Sequence, residues 1–444
     1  MLKFSVPCIL SLVISALYNI VDQIFIGNSE LSTAGNAATG IAFPIFVISQ
    51  AIAWCIGDGC AAYLNIHQGR RDAQDSHKAV GTGVTITLLA SIVIAAVFIP
   101  LSEPILTAFG ASDNTLTLAI EYANVVVLFF PVYMLANMMG GVIRADGGPN
   151  WAMASIVVGA VINIGLDYLF IFVFKWGMFG AALATGIGQV ISFIICLIYF
   201  LHTKTFKLTL KSFIPDFKTF SVALKLGAST FITQVTIVVV VIVCNMTLAK
   251  YGAMSQYGAV IPIAILNVES KVFTIVINVV VGIMLGCQPI ISYNMGARNY
   301  ARVRKIYKAI LLCTIIVGIL ATLMFQLMPR SIISLFGEPT DIPNPEDYWA
   351  FGEKTFRIFL GLILFTCVTK ISSIFFQAAG KPVQATIVSM IRDLIFFVPL
   401  VLILPAYLGI DGALVASPLA DVVALIITVI LTAGFLSKLK KKEI

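Results

Sequence analysis

The strongest constraint in this sequence is a succession of apolar runs, each about as long as a helix must be to cross a bilayer. Such a span takes roughly 20 predominantly apolar residues. Runs of this kind cover about 4–27, 37–66, 79–101, 118–143, 151–174, 178–202, 219–250, 257–294, 305–328, 350–378, 383–405 and 411–436. Inside lipid every backbone N–H and C=O must find a partner within the protein, and a run of this length does so as an α-helix. The fold class expected is therefore all-α and integral to the membrane, with about twelve transmembrane helices. The second and eighth runs are long enough to tilt or protrude. The opening residues MLKFSVPCILSLVISA have the look of a signal peptide. The apolar run continues to Ile26 without a convincing cleavage site, so they read as the first span. Only three residues precede that run, which leaves an upstream segment open.

Composition excludes the ordinary soluble classes. Hydrophobic residues make up 59% of the chain and charged residues 11%, against roughly 25% charge in soluble domains. The net charge of +7 does not point to nucleic acid, because the basic residues sit in the short segments between spans. Those segments hold Lys3, Arg70, Arg71, Lys78, Arg144, Lys204, Lys207, Lys211, Lys218, Lys225, Arg298, Arg302, Arg304, Lys305, Lys308, Lys381, Lys438, Lys440, Lys441 and Lys442. These are 20 of the 28 Lys and Arg residues. The opposite connections are poor in them, and 338–347 is acidic (Glu338, Asp341, Glu346, Asp347). By the positive-inside rule both termini are cytoplasmic, as an even number of spans requires. A multi-pass protein of a bacterial inner membrane is expected. The eight cysteines form no CxxC pair and the three histidines no metal-ligand spacing.

The chain repeats itself. Residues 144–185 and 377–417 both run Gly-x-Pro, a long apolar stretch, a Gly-containing turn and Gly-Ala-x-x-Ala. Gln68-Gly69-Arg70 is echoed by Met295-Gly296-Ala297-Arg298. Six spans, an even number, separate each copy from its partner, so both insert with the same orientation. The expectation is two six-helix lobes related by a pseudo-two-fold axis along the membrane normal: 1–202, a basic linker 203–218, and 219–444. Paired lobes of this kind face a midplane cleft in alternating-access transporters.

Charged side chains within spans cost roughly 2.5–3.5 kcal/mol each even on the lenient insertion scale, so each needs a partner or a purpose. Asp22 has Asn19 three residues earlier on its helix face, and Asp167 has Asn163 four earlier. Thr185 adds a hydroxyl from the next span. Carboxylates, an amide and a hydroxyl suit a hard cation such as Na⁺ or a proton relay. Equally, Asn163 and Asp167 suit a purely structural tie between helices. Asp58, between Gly57 and Gly59, fits the cleft or a local helix break. Glu269 is a candidate contact for a cationic substrate. Lys370, Arg392 and Asp393 are expected near helix ends or paired with one another, and Asp421 is read as structural.

LYNIVDQIFIG (17–27), NIGLD (163–167) with GAALAT (180–185), QPIISYNMGARNYARVRK (288–305) and IRADGGP (143–149) together resemble the multidrug and toxic compound extrusion (MATE) family. The similarity runs over essentially the whole chain. IGDGCAAY (56–63) and FFVPLVLILP (396–405) look closest to its MepA-like bacterial branch. The resemblance implies export of drugs coupled to inward flow of H⁺ or Na⁺, with no other cofactor. It also implies an N-lobe cation site, whose positions match Asp22, Asn163, Asp167 and Thr185; Asn19, Asp58 and Glu269 are further cleft candidates. Some members carry a second acidic cluster on the seventh and tenth spans. Here those spans offer Gln234, Asn245 and Lys370, which puts that second cluster in doubt.

The function expected is secondary active efflux of small organic, chiefly cationic, compounds by a monomer in the bilayer, with no enzymatic activity. Two other readings remain at this stage. A lipid-linked precursor flippase of the same wider superfamily would favour a more cationic cavity. An intramembrane aspartyl protease would need Gly-x-Gly-Asp, and the chain has Gly57-Asp58-Gly59.

Overall fold

The computed structural model describes residues 2–29, 31–71, 76–258, 260–336 and 345–442. Glu338 and Asp341 of the acidic connection lie outside them. The order of helices is α1 Leu2–Gly27, α2 Ser32–Gly69, α3 Ser76–Phe98, α4 Ser102–Ala108, α5 Asp113–Leu128, α6 Phe130–Ala145, α7 Pro149–Asp167, α8 Gly177–Phe200, α9 Phe217–Ala253, α10 Val260–Gly296, α11 Tyr300–Leu327, α12 Pro329–Ser334, α13 Pro345–Phe359, α14 Ile363–Ala378, α15 Pro382–Met390, α16 Val398–Ile403, α17 Pro405–Leu408 and α18 Ile410–Lys441. Turns of π-helix follow α7 (Tyr168–Val173) and α15 (Ile391–Phe397).

Among the described residues ten spans are single elements or nearly so, and two bent pairs bring the number to twelve. The bends correct two of the predicted runs. The run at 118–143 is not one helix: it is α5 and α6, bent by 57°. Pro131 lies in the first turn of α6 and has no N–H for the helix before it. The run at 350–378 is α13 and α14, bent by 49°, with Gly361 in the break. Hydropathy does not register either bend, because the break is as apolar as the helices it joins. The run 79–101 ends as a helix at Phe98, and the short α4 follows.

Burial is inverted relative to a soluble protein. Leu89, Ile92, Val93 and Val97 of α3 are exposed while its Thr82, Thr87 and Ser91 are buried. The same holds in α11, where Leu312, Ile316, Leu320 and Leu323 face outward. Apolar side chains on the rim and small polar ones inside are what a lipid solvent selects.

The chain divides into two compact units, residues 1–231 with 285–298, and residues 232–284 with 299–444. In the first, one apolar cluster joins Ile26, Phe98, Leu106, Tyr122, Phe130 and Met178. Another joins Cys60, Met138, Phe200, Phe206 and Phe220. The basic linker 203–218 is strapped to this unit at both ends. The Asp146 carboxylate accepts the amide N–H of Lys204 (2.7 Å) and of Thr205 (2.8 Å) and the Tyr199 hydroxyl (2.9 Å). Further along, the Thr85 hydroxyl donates to the Phe213 carbonyl (2.8 Å), and the Asp216 amide donates to the Thr82 hydroxyl (3.0 Å). In the second unit, α11, α14 and α18 meet around Phe375, Phe376, Tyr307 and Phe435.

Candidate functional site

In the first unit the packing of α7 on α8 sets the site. Both helices present glycine at the crossing. A Cβ at Gly188 would stand 2.9 Å from the Gly159 carbonyl oxygen and 3.1 Å from the Asn163 Cβ, closer than side chains tolerate. The close approach brings the Asn163 amide to the Thr185 hydroxyl, at 3.5 Å the long limit of a hydrogen bond. Asn163, Asp167 and Thr185 are all buried, Asp167 completely (0% exposed). From α1, Asp22 places its carboxyl within hydrogen-bonding range of Asp167, and Asn163 borders Asp167 from one turn below. The four residues matched through the family resemblance therefore converge.

The arrangement lacks donors. Oδ1 of Asp22, both carboxylate oxygens of Asp167 and Oδ1 of Asn163 are buried without a hydrogen-bond partner. Neither aspartate has an ion-pair partner among the described residues. Ionised carboxylates only accept, so Asp22 and Asp167 cannot satisfy each other. A proton shared between them, or a cation bound by the same oxygens, would supply what is missing.

Two tyrosines belong to this site and were not singled out in the sequence. Tyr18 lies four residues before Asp22 on α1 and, with Tyr122 of α5, stands close to both aspartates; Tyr122 also neighbours Thr185. The i, i+4 spacing to Asp22 was a usable signal for Tyr18. Nothing in local sequence marks Tyr122.

The other candidates lie elsewhere. Asn19 is exposed, and its amide donates to the Ser15 carbonyl at 2.7 Å. Asp58 is buried next to Arg144, Oδ1 to Nη2 3.6 Å, and accepts from the Thr230 hydroxyl at 3.3 Å. Gly57 permits this, since a Cβ there would stand 2.7 Å from the Met138 carbonyl oxygen. Asp58 is thus an ion-paired residue between α2, α6 and α9, apart from the Asp22–Asp167 group.

Glu269 lies in the second unit, buried (3% exposed), with the Ser270 hydroxyl donating at 3.5 Å and the charge of Arg392 nearby. Next to it is a tightly paired cluster. Arg392 donates through Nε to Asp421 (2.8 Å), through Nη1 to Asp393 (2.7 Å) and through Nη2 to Ser417 (3.0 Å). Lys370 pairs with the other oxygen of Asp393 at 2.7 Å, and the Thr366 hydroxyl donates to Asp421 at 2.7 Å. Of the two alternatives expected for Lys370, Arg392 and Asp393, the structure shows pairing.

Comparison with known proteins fits this architecture. The MatE family model matches residues 7–169 and 230–403. The chain is 25% identical over 439 residues to the multidrug export protein MepA of Staphylococcus aureus (strain MSSA476), covering 97% of this chain and 93% of that protein. It is 25% identical over 430 residues to MepA of Staphylococcus haemolyticus (strain JCSC1435), covering 95% and 90%. Among solved structures, the outward-facing conformation of a multidrug resistance MATE family transporter of the MOP superfamily superposes with a TM-score of 0.89. The two share 22% identity over 99% of this chain and 96% of that one. MATE in the straight conformation gives 0.88 at 23% identity, again over 99% and 96%. These structures share the fold, and with the family match over most of its length the chain belongs to the MatE family.

Proposed function

We propose that this protein is a secondary active exporter of small organic compounds, chiefly cationic ones, driven by antiport with H⁺ or Na⁺. It works as a monomer in a bacterial inner membrane with both termini cytoplasmic. In this reading 1–202 and 219–444 are the two lobes and 203–218 is the cytoplasmic linker. The observation that carries the reading is the group of donorless buried oxygens on Asp22, Asn163 and Asp167. A site with two carboxylates and, among the described residues, no protein cation stores an affinity for a mobile one. The export named for the MepA relatives supports the direction and the cargo class, and the basic residues at one set of helix ends support the orientation.

Coupling needs only that cation and cargo prefer different conformational states. A cation entering at Asp22 and Asp167 removes their mutual repulsion and favours the state in which the two helices stay close. Release on the opposite side restores the repulsion and favours the other state. Thr185 and Asn163 complete the oxygen shell, and Tyr18 and Tyr122 wall it. Glu269 and Asn19 are candidate contacts for cargo.

The test is uptake of a fluorescent organic cation into proteoliposomes, with pH and Na⁺ gradients imposed separately. One gradient drives transport in the wild type, and Asp22→Asn abolishes the dependence. Unchanged transport and unchanged ion dependence in Asp22→Asn would remove the site from the mechanism.

A further inference from the structure

The two units hold their buried carboxylates in opposite ways at related places in the repeat. Thr185 directly follows the Gly-Ala-x-x-Ala motif in the first copy and Ser417 in the second. They stand 36 residues after Pro149 and 35 after Pro382. In the first copy the hydroxyl faces Asn163 and a pair of aspartates without a cation. In the second the hydroxyl accepts from the Arg392 guanidinium, which also bridges Asp393 and Asp421. Arg392 starts about one helical turn nearer its Gly-x-Pro turn than Asn163 does: ten residues after Pro382, against fourteen after Pro149. Its long side chain spans that turn. Its Cζ lies 5.9 Å from the Phe273 ring centroid and 5.4 Å from that of Phe397, so the charge sits over two aromatic rings.

We propose that Arg392 is a built-in cation, filling in the second unit the place that a mobile cation takes at Asp22 and Asp167 in the first, so that each molecule exchanges one coupling cation per cycle. The inference rests on the antiport reading above. The charges support it: Arg392 and Lys370 balance Asp393 and Asp421, and all three nitrogens of the guanidinium are engaged. The remaining groups facing the cluster are Glu269 and Ser270 of α10, Cys244 of α9, and Thr366 and Cys367 of α14. Of these only Glu269 brings a further carboxylate, and it has no ion pair within 4.0 Å among the described residues.

Two measurements test this. The first is the reversal gradient for a fluorescent organic cation in proteoliposomes, whose slope counts cations per cargo. We expect a slope of one in the wild type and in the charge-neutral pair Arg392→Met with Asp421→Asn, and of zero in Asp22→Asn. A wild-type slope of two that drops to one in Glu269→Gln or in the neutral pair overturns the proposal. The second needs no transport. Arg392→Met alone leaves Asp421 in an apolar site without its cation, so its melting temperature rises on acidification or with added Na⁺ by several degrees more than in the wild type or the neutral pair. If the single variant responds no more than the wild type, Arg392 holds no cation's place, whether or not the protein couples. A wild-type slope of zero with the expected melting shifts would place the failure in the antiport reading alone.

Discussion

The first and second units bury nearly the same number of carboxylates, and the difference between them lies in who neutralises the charge. Asp22 and Asp167 meet each other, an amide, a hydroxyl and two tyrosines, with three of their four oxygens lacking any donor. Asp393 and Asp421 meet a guanidinium and an ammonium at 2.7 to 2.8 Å. A desolvated charge costs several kcal/mol wherever it sits, and only the source of compensation differs. Where the protein supplies the counter-charge, the cluster is a fixed strut. Where no described residue does, the oxygens stay without a partner, and it is there that the proposed antiport places its cation.

The sharpest way to break this contrast is to neutralise one carboxylate in each unit. Asp421→Asn leaves Arg392 underpaired in an apolar site and should cost about 3–5 kcal/mol of stability. Asp22→Asn removes a like-charge neighbour of Asp167 and gives it an amide donor, so it should leave stability unchanged or raise it by about 1 kcal/mol. Thermal unfolding of the two variants in the same detergent reads both signs. Equal destabilisation would mean that Asp22 and Asp167 are as structurally paired as the second cluster.

The next largest effect concerns geometry. Gly188→Ala places a Cβ 2.9 Å from the Gly159 carbonyl and 3.1 Å from the Asn163 Cβ, and overpacking of this kind costs about 1–3 kcal/mol. Relief requires α7 to move away from α8, which separates Asn163 from Thr185. Cation affinity, read from the ion concentration at half-maximal transport, should weaken more than cargo affinity. The second unit offers the control: Ser417→Ala removes one acceptor from Arg392 and should leave ion dependence untouched.

What was legible in the sequence follows the same division between local and distant causes. The bilayer imposes a length on every span, so apolar runs located the helices within a few residues. The bend at Phe129 escaped because hydropathy is blind to a break whose residues are all apolar, although Pro131 was there to be read. Asn163 and Asp167 are one turn apart on one helix, so spacing joined them; Asp22 and Thr185 joined them as in-span polar groups of fitting chemistry, and the resemblance matched all four. The Arg392–Asp421 bond joins residues 29 apart on two spans, and no local rule pairs them. Tyr122 reaches the first site from α5 through tertiary packing alone. Tyr122→Phe removes the hydroxyl beside Thr185 and should weaken cation affinity by roughly tenfold or less, the equivalent of ~1 kcal/mol for a neutral hydrogen bond.

Asp216 supplies the smallest effect and the baseline for both clusters, because it lies in the linker outside the spans. Its carboxylate accepts the Thr219 amide (3.2 Å), the Thr219 hydroxyl (2.9 Å) and the Lys218 amide (3.1 Å), capping α9. The Thr219 amide and hydroxyl, then the Lys218 amide and the nearby Lys78 charge, hold it below the usual carboxylate range. A carboxyl lowered on folding stabilises the protein at pH values above its ordinary value of roughly 3.9, and the contribution fades as pH falls through the folded value. Asp216→Ala should therefore cost about 1 kcal/mol, as a lost helix cap does, with the same deficit across pH 5 to 8. The deficit should begin to shrink below about pH 4 and vanish once pH is below the folded value. Melting curves of the variant and the wild type over that range test it. A deficit that grows on acidification would show that Asp216 is held by something other than donors to its charged form.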